Sequence, residues 1–351
     1  MKLLTVVGAR PQFVKAATIS RALKGVSEIL EVMVHTGQHF DKNMSEVFFS
    51  ELDIPHPRYS LGIHGLAHGA MTGRMLEALE QILADEKPDC VLIYGDTNST
   101  LAGALAAAKM HIPVAHVEAG LRSYNRKMPE EINRVLTDHL SNLLFCPTSA
   151  AAANLAKEGI VSGVHEVGDV MYDATLAAKS LARTSTIVER LGLSEGDYEV
   201  ATVHRAENTD DPDRLAEIFN FLRARAKEVS VVLPLHPRSR AALKQHRIPI
   251  SSIQICEPLS YLDMTKLVSE CRGVITDSGG LQKEAYFHRK PCITLREETE
   301  WVETIECGWN RLWREGSYAP RREIVDYGDG KAANRIVDLL IAANMNKRAA
   351  R

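Results

Sequence analysis

Short apolar runs alternate with amphipathic stretches along the first half of the chain. The runs predict buried β-strands, and the stretches between them repeat their apolar residues with the helical period of about 3.6 residues. The predicted strands are Lys2–Gly8, Ile29–His35, Cys90–Gly95, Pro113–Glu118 and Leu143–Cys146. The predicted helices are Gln12–Leu23, a helix near Asp41–Leu52, Ala67–Ala84, Ser99–Met110 and Pro129–Asn142. Strands that alternate with helices in this order indicate a parallel sheet.

The same alternation restarts in the second half, after the least patterned stretch near Val167–Arg183. Its predicted strands are Glu199–Thr202, Ser230–Leu235, Ile253–Cys256, Gly273–Thr276 and Cys292–Leu295. Its predicted helices are Asp213–Lys227, Tyr261–Cys271, one after Thr276, and a last helical stretch over Ala332–Met345. A chain of 351 residues exceeds the usual size of a single core, so the pattern predicts two α/β domains.

The unusual polar residues mostly follow predicted strands. Open parallel sheets bind ligands beyond the carboxyl ends of their strands. Two such domains facing each other would leave one cleft between them, lined by these residues. We therefore expect the chemistry of the protein at that edge.

Composition narrows the class of protein. Hydrophobic residues make up 45% and charged residues 25% of the chain, which is ordinary for a globular protein. The formal net charge is −3, with acidic and basic residues interspersed. That balance argues against a nucleic-acid partner, whose phosphates need a basic surface. The same balance does not exclude a local anion-binding site.

The sequence also predicts a soluble, cytoplasmic protein without a membrane partner. No apolar run approaches the roughly 18 residues of a membrane helix. The apolar start of the chain passes directly into Gly8-Ala9-Arg10-Pro11, without a signal-peptide cleavage pattern. The six cysteines are dispersed and form no C-x-x-C pair, as is typical of reduced thiols in a cytosol.

A candidate anion site follows the first strand. Gly8 permits a tight turn, Pro11 can open a helix, and Arg10 and Lys15 place two cations near its start. A helix start favours anions, so a phosphate neighbour is one interpretation. A capped turn with surface charges is the other, and this segment alone does not decide between them.

No metal or redox cofactor is expected. The first turn is neither G-x-G-x-x-G nor a P-loop, and His35-Thr36-Gly37 lacks the acidic residue that usually follows the second strand of an NAD-binding fold. His35 and His39 straddle Gly37, and no group of His, Cys and carboxylate residues has metal-ligand spacing.

Carboxylates end two neighbouring predicted strands. Asp96 follows one strand, Glu118 ends the next, and Glu130 and Glu131 begin a helix after Pro129. Glutamates at a helix start commonly just complement the helix dipole. Clustered carboxylates, however, raise one another's pKa, which suits acid and base catalysis.

The second domain supplies cations and a possible anion nest. His204-Arg205 and His236-Pro237-Arg238 each pair a histidine with an arginine after a strand. Asp277-Ser278-Gly279-Gly280 then follows a strand and opens a helix, where backbone N–H groups and the Ser278 hydroxyl favour an anion. Glu284, one turn later, could accept hydrogen bonds from a ribose. The same tetrapeptide surrounds serine-protease nucleophiles, but a strand-turn-helix of an α/β chain is the wrong context.

These residues together closely resemble the non-hydrolysing UDP-N-acetylglucosamine 2-epimerase family, from Lys2 to about Trp313. The shared motifs, in the family's order, are GARPQFVK, HTGQHFD, YGDTNST, HVEAGLRS, PEEINR, TVHRAEN, LHPRSR and TDSGGLQKEA. The resemblance implies an α/β fold of GT-B type. Its two Rossmann-like parallel-sheet domains would span residues 1–170 and 171–330, with a cleft between them and a C-terminal helix over 331–351 that packs back on the first domain. It also implies a homodimer that supplies precursors of bacterial surface polysaccharide.

The implied reaction has two steps. UDP is eliminated in the anti sense to give a 2-acetamidoglucal, and UDP then adds back while a proton reaches the opposite face of C2. By motif match, Asp96, Glu118 and Glu130 form the acid/base set, without an assignment of faces, and Glu131 supports the turn. His204 would stabilise the departing UDP. The implied substrate-binding residues are Arg10, Lys15, Arg122, Arg205, His236, Arg238, Ser278, Gly279, Gly280, Glu284 and Arg296.

Two departures from the family leave the substrate open. Many members carry Thr-Glu-Arg-Pro-Glu, with an arginine that contacts the nucleotide, where this chain has Trp301 in its place. The loop before Pro129 is shorter than in many members and adds Arg126 and Lys127. Both features resemble the branch that acts on UDP-2,3-diacetamido-2,3-dideoxyglucuronate. The activator site of some members is not assigned to Gln38–Asp41.

Three rival functions remain. A glycosyltransferase of the same fold would not need clustered acidic groups, so Asp96 with Glu118 argues against it. A hydrolysing epimerase shares the glucal intermediate and is poorly separated by sequence. A sugar-nucleotide sensor would bind without turnover, which the intact acid/base residues disfavour.

Overall fold

The computed structural model describes residues 1–38 and 55–349. The chain divides into two compact units. Unit 1 comprises Met1–Ala174 and Val325–Arg351, and unit 2 comprises Thr175–Ile324. The predicted helix near Asp41–Leu52, residues 39–41 of the activator segment and the side chain of Arg10 lie outside the described part.

Unit 1 is built on a seven-stranded parallel sheet. Its strands are β1 (Lys2–Val7), β2 (Leu30–His35), β3 (Tyr59–Ser60), β4 (Cys90–Tyr94), β5 (Val114–Val117), β6 (Leu143–Cys146) and β7 (Val164–Glu166). Their order in the sheet is β3-β2-β1-β4-β5-β6-β7. The chain order therefore reverses beside β1, which pairs with both β2 and β4, and a ligand site is expected at such a switch point.

Helices flank this sheet. They are α1 (Arg10–Leu23), α2 (His68–Glu86), α3 (Asn98–Lys109), α4 (Pro129–Leu140), α5 (Ser149–Lys157) and α6 (Val170–Leu181). The strands are apolar on both faces because both are covered, so Leu4 and Ile93 are fully buried. Met75 and Leu79 of α2 pack into the same core cluster.

Unit 2 contains a six-stranded parallel sheet in the order β10-β9-β8-β11-β12-β13. Its strands are β8 (Tyr198–Thr202), β9 (Ser230–Pro234), β10 (Gln254–Cys256), β11 (Gly273–Thr276), β12 (Cys292–Thr294) and β13 (Asn310–Leu312). Its helices are α7 (Ile187–Arg190), α8 (Ala206–Thr209), α9 (Pro212–Arg225), α10 (Pro237–His246), α11 (Tyr261–Glu270), α12 (Gly279–Phe287) and α13 (Val302–Glu306). Phe219 and Leu222 of α9 are fully buried against this sheet.

The last helix, α14 (Ala332–Ala349), belongs to unit 1 and contacts α1. Ile336 and Leu340 on this helix are fully buried. The Ala333 N–H donates to Asp173 Oδ2 at 2.8 Å, which ties the start of α14 to α6. The helix is thus part of the core of unit 1.

The predicted α/β alternation is confirmed in both halves, and two strands, Leu143–Cys146 and Gly273–Thr276, match to the residue. The join predicted near Val167–Arg183 contains the division between the two units, which falls after Ala174, and most of this stretch forms α6. Its buried residues Val170, Met171, Ala174 and Ala178 lie on one helical face. The two alanines add little hydrophobicity and valine is a weak helix former, so the sequence shows no clear helical pattern here.

No helix in the described ranges is long and apolar enough to cross a bilayer. All six cysteines are free thiols.

Candidate functional site

The carboxyl ends of β1, β4 and β5 meet at the switch point of unit 1. Gly8 follows β1, and a Cβ at this position would overlap the hydroxyls of Thr36 and Ser99. Gln12 Oε1 accepts hydrogen bonds from the Gly8 and Ala9 N–H groups at 2.7 and 3.0 Å, and its Nε2 donates to the Tyr94 carbonyl at 2.7 Å. Gln12 therefore binds the turn after β1 to the end of β4.

Asp96 follows β4 and is held by α4. Its carboxylate forms an ion pair with Arg134, and its backbone carbonyl accepts a hydrogen bond from Asn133 Nδ2 at 2.9 Å. Burial raises the pKa of Asp96, Arg134 opposes this, and the charge of Glu118 adds to it. The side chain keeps 30% of its surface accessible, so this carboxyl can reach a substrate.

Glu118 follows β5 and pairs with Lys15 of α1, and both side chains are largely buried. Glu118 has a left-handed φ of 71°, a conformation that costs a residue with a side chain about 1–3 kcal/mol. The pair lies beside Gly95, where a Cβ would be in van der Waals contact with it, 3.4 Å from Glu118 Oε2 and 3.7 Å from Lys15 Nζ. The structure thus brings Lys15, Asp96 and Glu118 together.

The two glutamates that begin α4 have different environments. Glu130 is exposed. Glu131 is buried and accepts hydrogen bonds from the backbone N–H groups of Ser123 and Tyr124, both at 2.9 Å. Burial would raise the pKa of Glu131, but these hydrogen bonds and Arg134 outweigh it and lower the pKa. Glu131 therefore fixes the loop before α4.

Arg122, predicted to bind substrate, has a buried side chain that is bound by carboxylates of the chain. Its side chain is 1% exposed, and all three of its nitrogens are engaged. Nε and Nη2 donate to Glu158, each at 2.7 Å, and Nη1 donates to Asp138 at 2.7 Å. A cation that deep in the protein needs such counter-charges, so Arg122 stabilises the scaffold.

Asp138 links Arg122 to the Gly95–Asp96 turn through His116. His116 Nδ1 lies 2.7 Å from Asp138 Oδ1, and His116 Nε2 lies 2.7 Å from the Gly95 carbonyl oxygen. A carboxylate and a carbonyl oxygen both accept hydrogen bonds, so each ring nitrogen of His116 faces an acceptor. Burial raises the pKa of Asp138, but His116 and Arg122 outweigh it and lower the pKa.

In unit 2, Asp277 positions the first histidine–arginine pair. Its Oδ2 accepts hydrogen bonds from the backbone N–H groups of His204 and Arg205, both at 2.9 Å, and from Asn208 Nδ2 at 3.0 Å. Its Oδ1 lies 3.2 Å from His204 Nδ1. The carboxylate is completely buried, whereas 40% of the His204 side chain is accessible. Asp277 therefore orients His204 from the buried side, and the rest of the His204 side chain is accessible to a ligand.

His236 contributes a second ring beside His204. The ring centroids are 5.8 Å apart. His236 caps α10, where its Nδ1 accepts a hydrogen bond from the Arg238 N–H at 3.2 Å. The Arg238 side chain is half exposed and lies 3.9 Å from Asp210.

The start of α12 has the geometry of an anion nest. Ser278 is its N-cap and accepts a hydrogen bond from the Leu281 N–H at 3.4 Å. Gly279 and Gly280 form its first turn, where backbone N–H groups lack helical partners. Burial raises the pKa of Glu284, one turn on, to about 7, against the charge of Lys283.

Two predicted arginines lie beside this nest. Arg296 is 8% exposed and donates from Nη1 to Glu300 Oε2 at 2.7 Å, and its Nε lies 3.4 Å from Glu207 Oε1. Arg205 Nη2 lies 3.9 Å from Glu300 Oε1. Three residues predicted to bind substrate, Arg205, Gly279 and Arg296, therefore lie around one carboxylate of the chain.

Sequence reasoning assigned no role to Gln12, Arg134, Asp138 or Asp277. All except Asp138 lie within the shared motifs, and that position was a signal that could have been used. Within residues 1–38 and 55–349, no group of three or more His, Cys, Asp or Glu residues is placed to hold a metal ion.

Comparison with known proteins bears on this site. The model of the family described as UDP-N-acetylglucosamine 2-epimerase matches residues 21–341. A Methanococcus maripaludis protein described as a UDP-N-acetylglucosamine 2-epimerase homolog is 48% identical, over 97% of this chain and 99% of its own. The UDP-2,3-diacetamido-2,3-dideoxy-D-glucuronate 2-epimerase of Pseudomonas aeruginosa is 50% identical, over 97% and 99% of the two chains.

A solved structure is also similar. The crystal structure of Methanocaldococcus jannaschii UDP-GlcNAc 2-epimerase in complex with UDP-GlcNAc and UDP matches with a TM-score of 0.86 and 40% identity, over 97% of this chain and 100% of that chain. The predicted fold class, two Rossmann-like parallel-sheet units of GT-B type, is thereby confirmed. With a family match over most of its length, the chain belongs to the UDP-N-acetylglucosamine 2-epimerase family, whose members are isomerases.

Proposed function

We propose that the protein inverts C2 of a UDP-linked 2-acetamido sugar and interconverts UDP-GlcNAc and UDP-ManNAc. The observation that carries this proposal is the pair of carboxylates after β4 and β5. Asp96 is paired with Arg134 and Glu118 with Lys15, in a chain of this family. Inversion needs one group to remove a proton from C2 and another to return one to the opposite face.

The reaction proceeds by elimination and addition. A base takes the C2 proton while the bond between C1 and the UDP oxygen breaks, which gives a 2-acetamidoglucal and UDP. The UDP oxygen then bonds to C1 again as an acid protonates C2 from the other face. No atoms are gained or lost, so neither an oxidant nor a reductant is required.

The two carboxylates suit different steps when the gluco sugar is the substrate. Burial raises the pKa of Asp96, so this carboxyl can carry the proton that C2 receives. Glu118, held by Lys15, is the candidate for the base. Glu130 is an accessory candidate because it is exposed and at the start of α4.

Unit 2 would hold the leaving group. His204, Arg205 and the first turn of α12 offer cationic and N–H donors to a diphosphate. His236 and Arg238 lie beside them, and Glu284 is available to the ribose. Retention of UDP matters because the same molecule must add back to the glucal.

Isotope incorporation tests this function. The protein is incubated with UDP-GlcNAc in heavy water, and C2 is followed by proton NMR. A UDP-linked manno product with deuterium at C2 is the expected result. Free N-acetylmannosamine with released UDP would instead identify a hydrolysing epimerase, and no reaction would refute the proposal.

A second substrate is favoured by two local features. Trp301 lies with its ring centroid 4.0 Å from the Lys283 ammonium, at the position where many family members have an arginine. The exposed loop before α4 carries Arg126 and Lys127, which suit a substrate carboxylate. UDP-2,3-diacetamido-2,3-dideoxyglucuronate, the substrate named for the Pseudomonas relative, is therefore run in parallel. Turnover of this compound alone would move the protein to that branch.

We also infer a cytoplasmic homodimer. Six free thiols fit a reducing compartment. Ile132 and Leu136, one turn apart on α4, are each 48% exposed and give a second copy an apolar strip to cover. Sedimentation as a monomer at micromolar concentration, or recovery outside the cytoplasmic fraction, would contradict this inference.

A further inference from the structure

A carboxylate of the chain itself lies against the first turn of α12. Glu300 Oε2 accepts a hydrogen bond from Arg296 Nη1 at 2.7 Å, and Oε1 lies 3.9 Å from Arg205 Nη2. A Cβ at Gly279 would overlap the same Oε1. Glu300 therefore contacts the arginines and the helix start that the proposed function gives to the diphosphate of a UDP-sugar.

Carboxylates and phosphates compete for such a site. Both accept paired N–H donors from a guanidinium, and both are stabilised at the start of a helix. Arg296 is only 8% exposed, and a cation that buried requires a counter-charge at close range. Glu300 supplies that charge in the same manner as a phosphate would.

Glu300 is also placed so that it can leave. Its side chain is 30% exposed. It lies between β12 and α13, outside any helix or strand. Rotation of one side chain toward solvent would release Arg296 and the first turn of α12 without a change in the sheet.

We propose that Glu300 is an internal competitor for the diphosphate: it occupies the anion site at the start of α12 and must move away before the diphosphate contacts Arg296 and Gly279. The inference rests on the proposed function and adds a regulating residue to that site. Glu300 weakens the binding of UDP and speeds its release at the end of the reaction, because the carboxylate returns as the diphosphate leaves.

A purely supporting role of Glu300 predicts the opposite change in UDP affinity. If Glu300 only held Arg296 in place for the ligand, its neutralisation would weaken binding. Glu300→Gln keeps the size of the side chain and removes its charge. Glu298→Gln is the matched control, since Glu298 is an exposed glutamate of the same segment.

Isothermal titration calorimetry with three probes separates the contributions. UDP and inorganic pyrophosphate carry the diphosphate, and uridine does not. We expect Glu300→Gln to lower the Kd of UDP and of pyrophosphate by about tenfold, which corresponds to a site that Glu300 occupies roughly nine-tenths of the time. Uridine affinity should not change, and Glu298→Gln should stay within about twofold of the unsubstituted protein for every probe.

Three results would overturn the inference. They are an unchanged or higher Kd for UDP in Glu300→Gln, an equal gain for uridine, and an equal gain in Glu298→Gln. If the unsubstituted protein does not bind UDP, the proposed function falls together with the inference. If it binds UDP and Glu300→Gln is no tighter, only the inference falls. Glu300→Ala, with thermal unfolding of every variant, guards against a folding defect peculiar to the glutamine.

Discussion

Replacement of Asp138 by asparagine tests whether a buried ionic network holds the Gly95–Asp96 turn in place. Asp138 joins Arg122 to His116, and His116 donates to the Gly95 carbonyl immediately before Asp96. The three side chains are 1%, 0% and 0% exposed for Arg122, His116 and Asp138. Water therefore cannot replace the lost carboxylate.

The expected cost follows from that burial. Removal of one partner from a buried ion pair destabilises a protein by about 3–5 kcal/mol. Asp138→Asn leaves Arg122 with Glu158 alone and removes the carboxylate beside His116. For a unit of this size each kcal/mol lowers the Tm by about 2–4 °C, so unit 1 should melt roughly 6–20 °C lower. The Gly95–Asp96 turn also loses its support, and turnover should fall while UDP binding by unit 2 persists.

Urea unfolding with two probes measures this effect. All three tryptophans, Trp301, Trp309 and Trp313, lie in unit 2, so tryptophan fluorescence reports that unit, whereas far-UV circular dichroism reports both. The early, destabilised transition should appear in circular dichroism alone. Asp329→Asn is the control in unit 1, because its pair with Arg335 is exposed and should contribute less than about 1 kcal/mol.

The pH dependence gives an independent check. The pKa of Asp138 is lower in the folded protein than in the unfolded chain, so its contribution is present above about pH 4 and is lost as pH falls through the folded value. Asp138→Asn should therefore flatten the acid limb of the stability curve. A variant within about 1 kcal/mol of the unsubstituted protein, with the acid limb intact, would refute the assignment of a charged network.

Two further predictions concern single carboxylates. Asp96→Asn should lower production of the manno sugar by about 10²–10⁴-fold, because it removes the proposed proton donor. It leaves the proposed base, so the variant should still release UDP and 2-acetamidoglucal from the gluco substrate. A product analysis that finds no glucal would contradict this assignment. Burial raises the pKa of Glu284 to about 7, so the folded state binds a proton that the unfolded chain has released, and stability falls as the pH rises from about 4 to 7. Glu284→Gln should abolish this loss of stability. Equal slopes of unfolding free energy against pH for both proteins, measured by urea titration across that window, would refute the prediction.

The elements that the sequence predicted best are those with a strong local signal. The strands Leu143–Cys146 and Gly273–Thr276 are short apolar runs between polar turns, and their bounds depend on little else. The helix α6 was missed because two of the four apolar residues on its buried face, Ala174 and Ala178, are alanines, and its place is fixed by α14, which arrives from the end of the sequence. That contact has no local signature.

In the site, too, features with a local sequence signal were predicted and features fixed by distant contacts were not. Carboxylates after strands are visible in sequence, so Asp96 and Glu118 could be chosen as candidates. Whether a charged side chain faces a ligand or the scaffold depends on partners that are distant in sequence. Arg122 forms ion pairs with Asp138 and Glu158, which are 16 and 36 residues away in the sequence. Glu300, which lies in none of the motifs, contacts Arg296 and Arg205, two arginines that the sequence predicted to bind substrate.

The two-segment construction of unit 1 has a consequence for how the protein is made. A ribosome releases residues 1–174 early, but α14, which buries Ile336 and Leu340 in the same core, follows only after all of unit 2. Domains usually fold in the order of their synthesis. Here the first unit to emerge is the last to be finished, so during translation its nascent form leaves the apolar surface that awaits α14 exposed to chaperones.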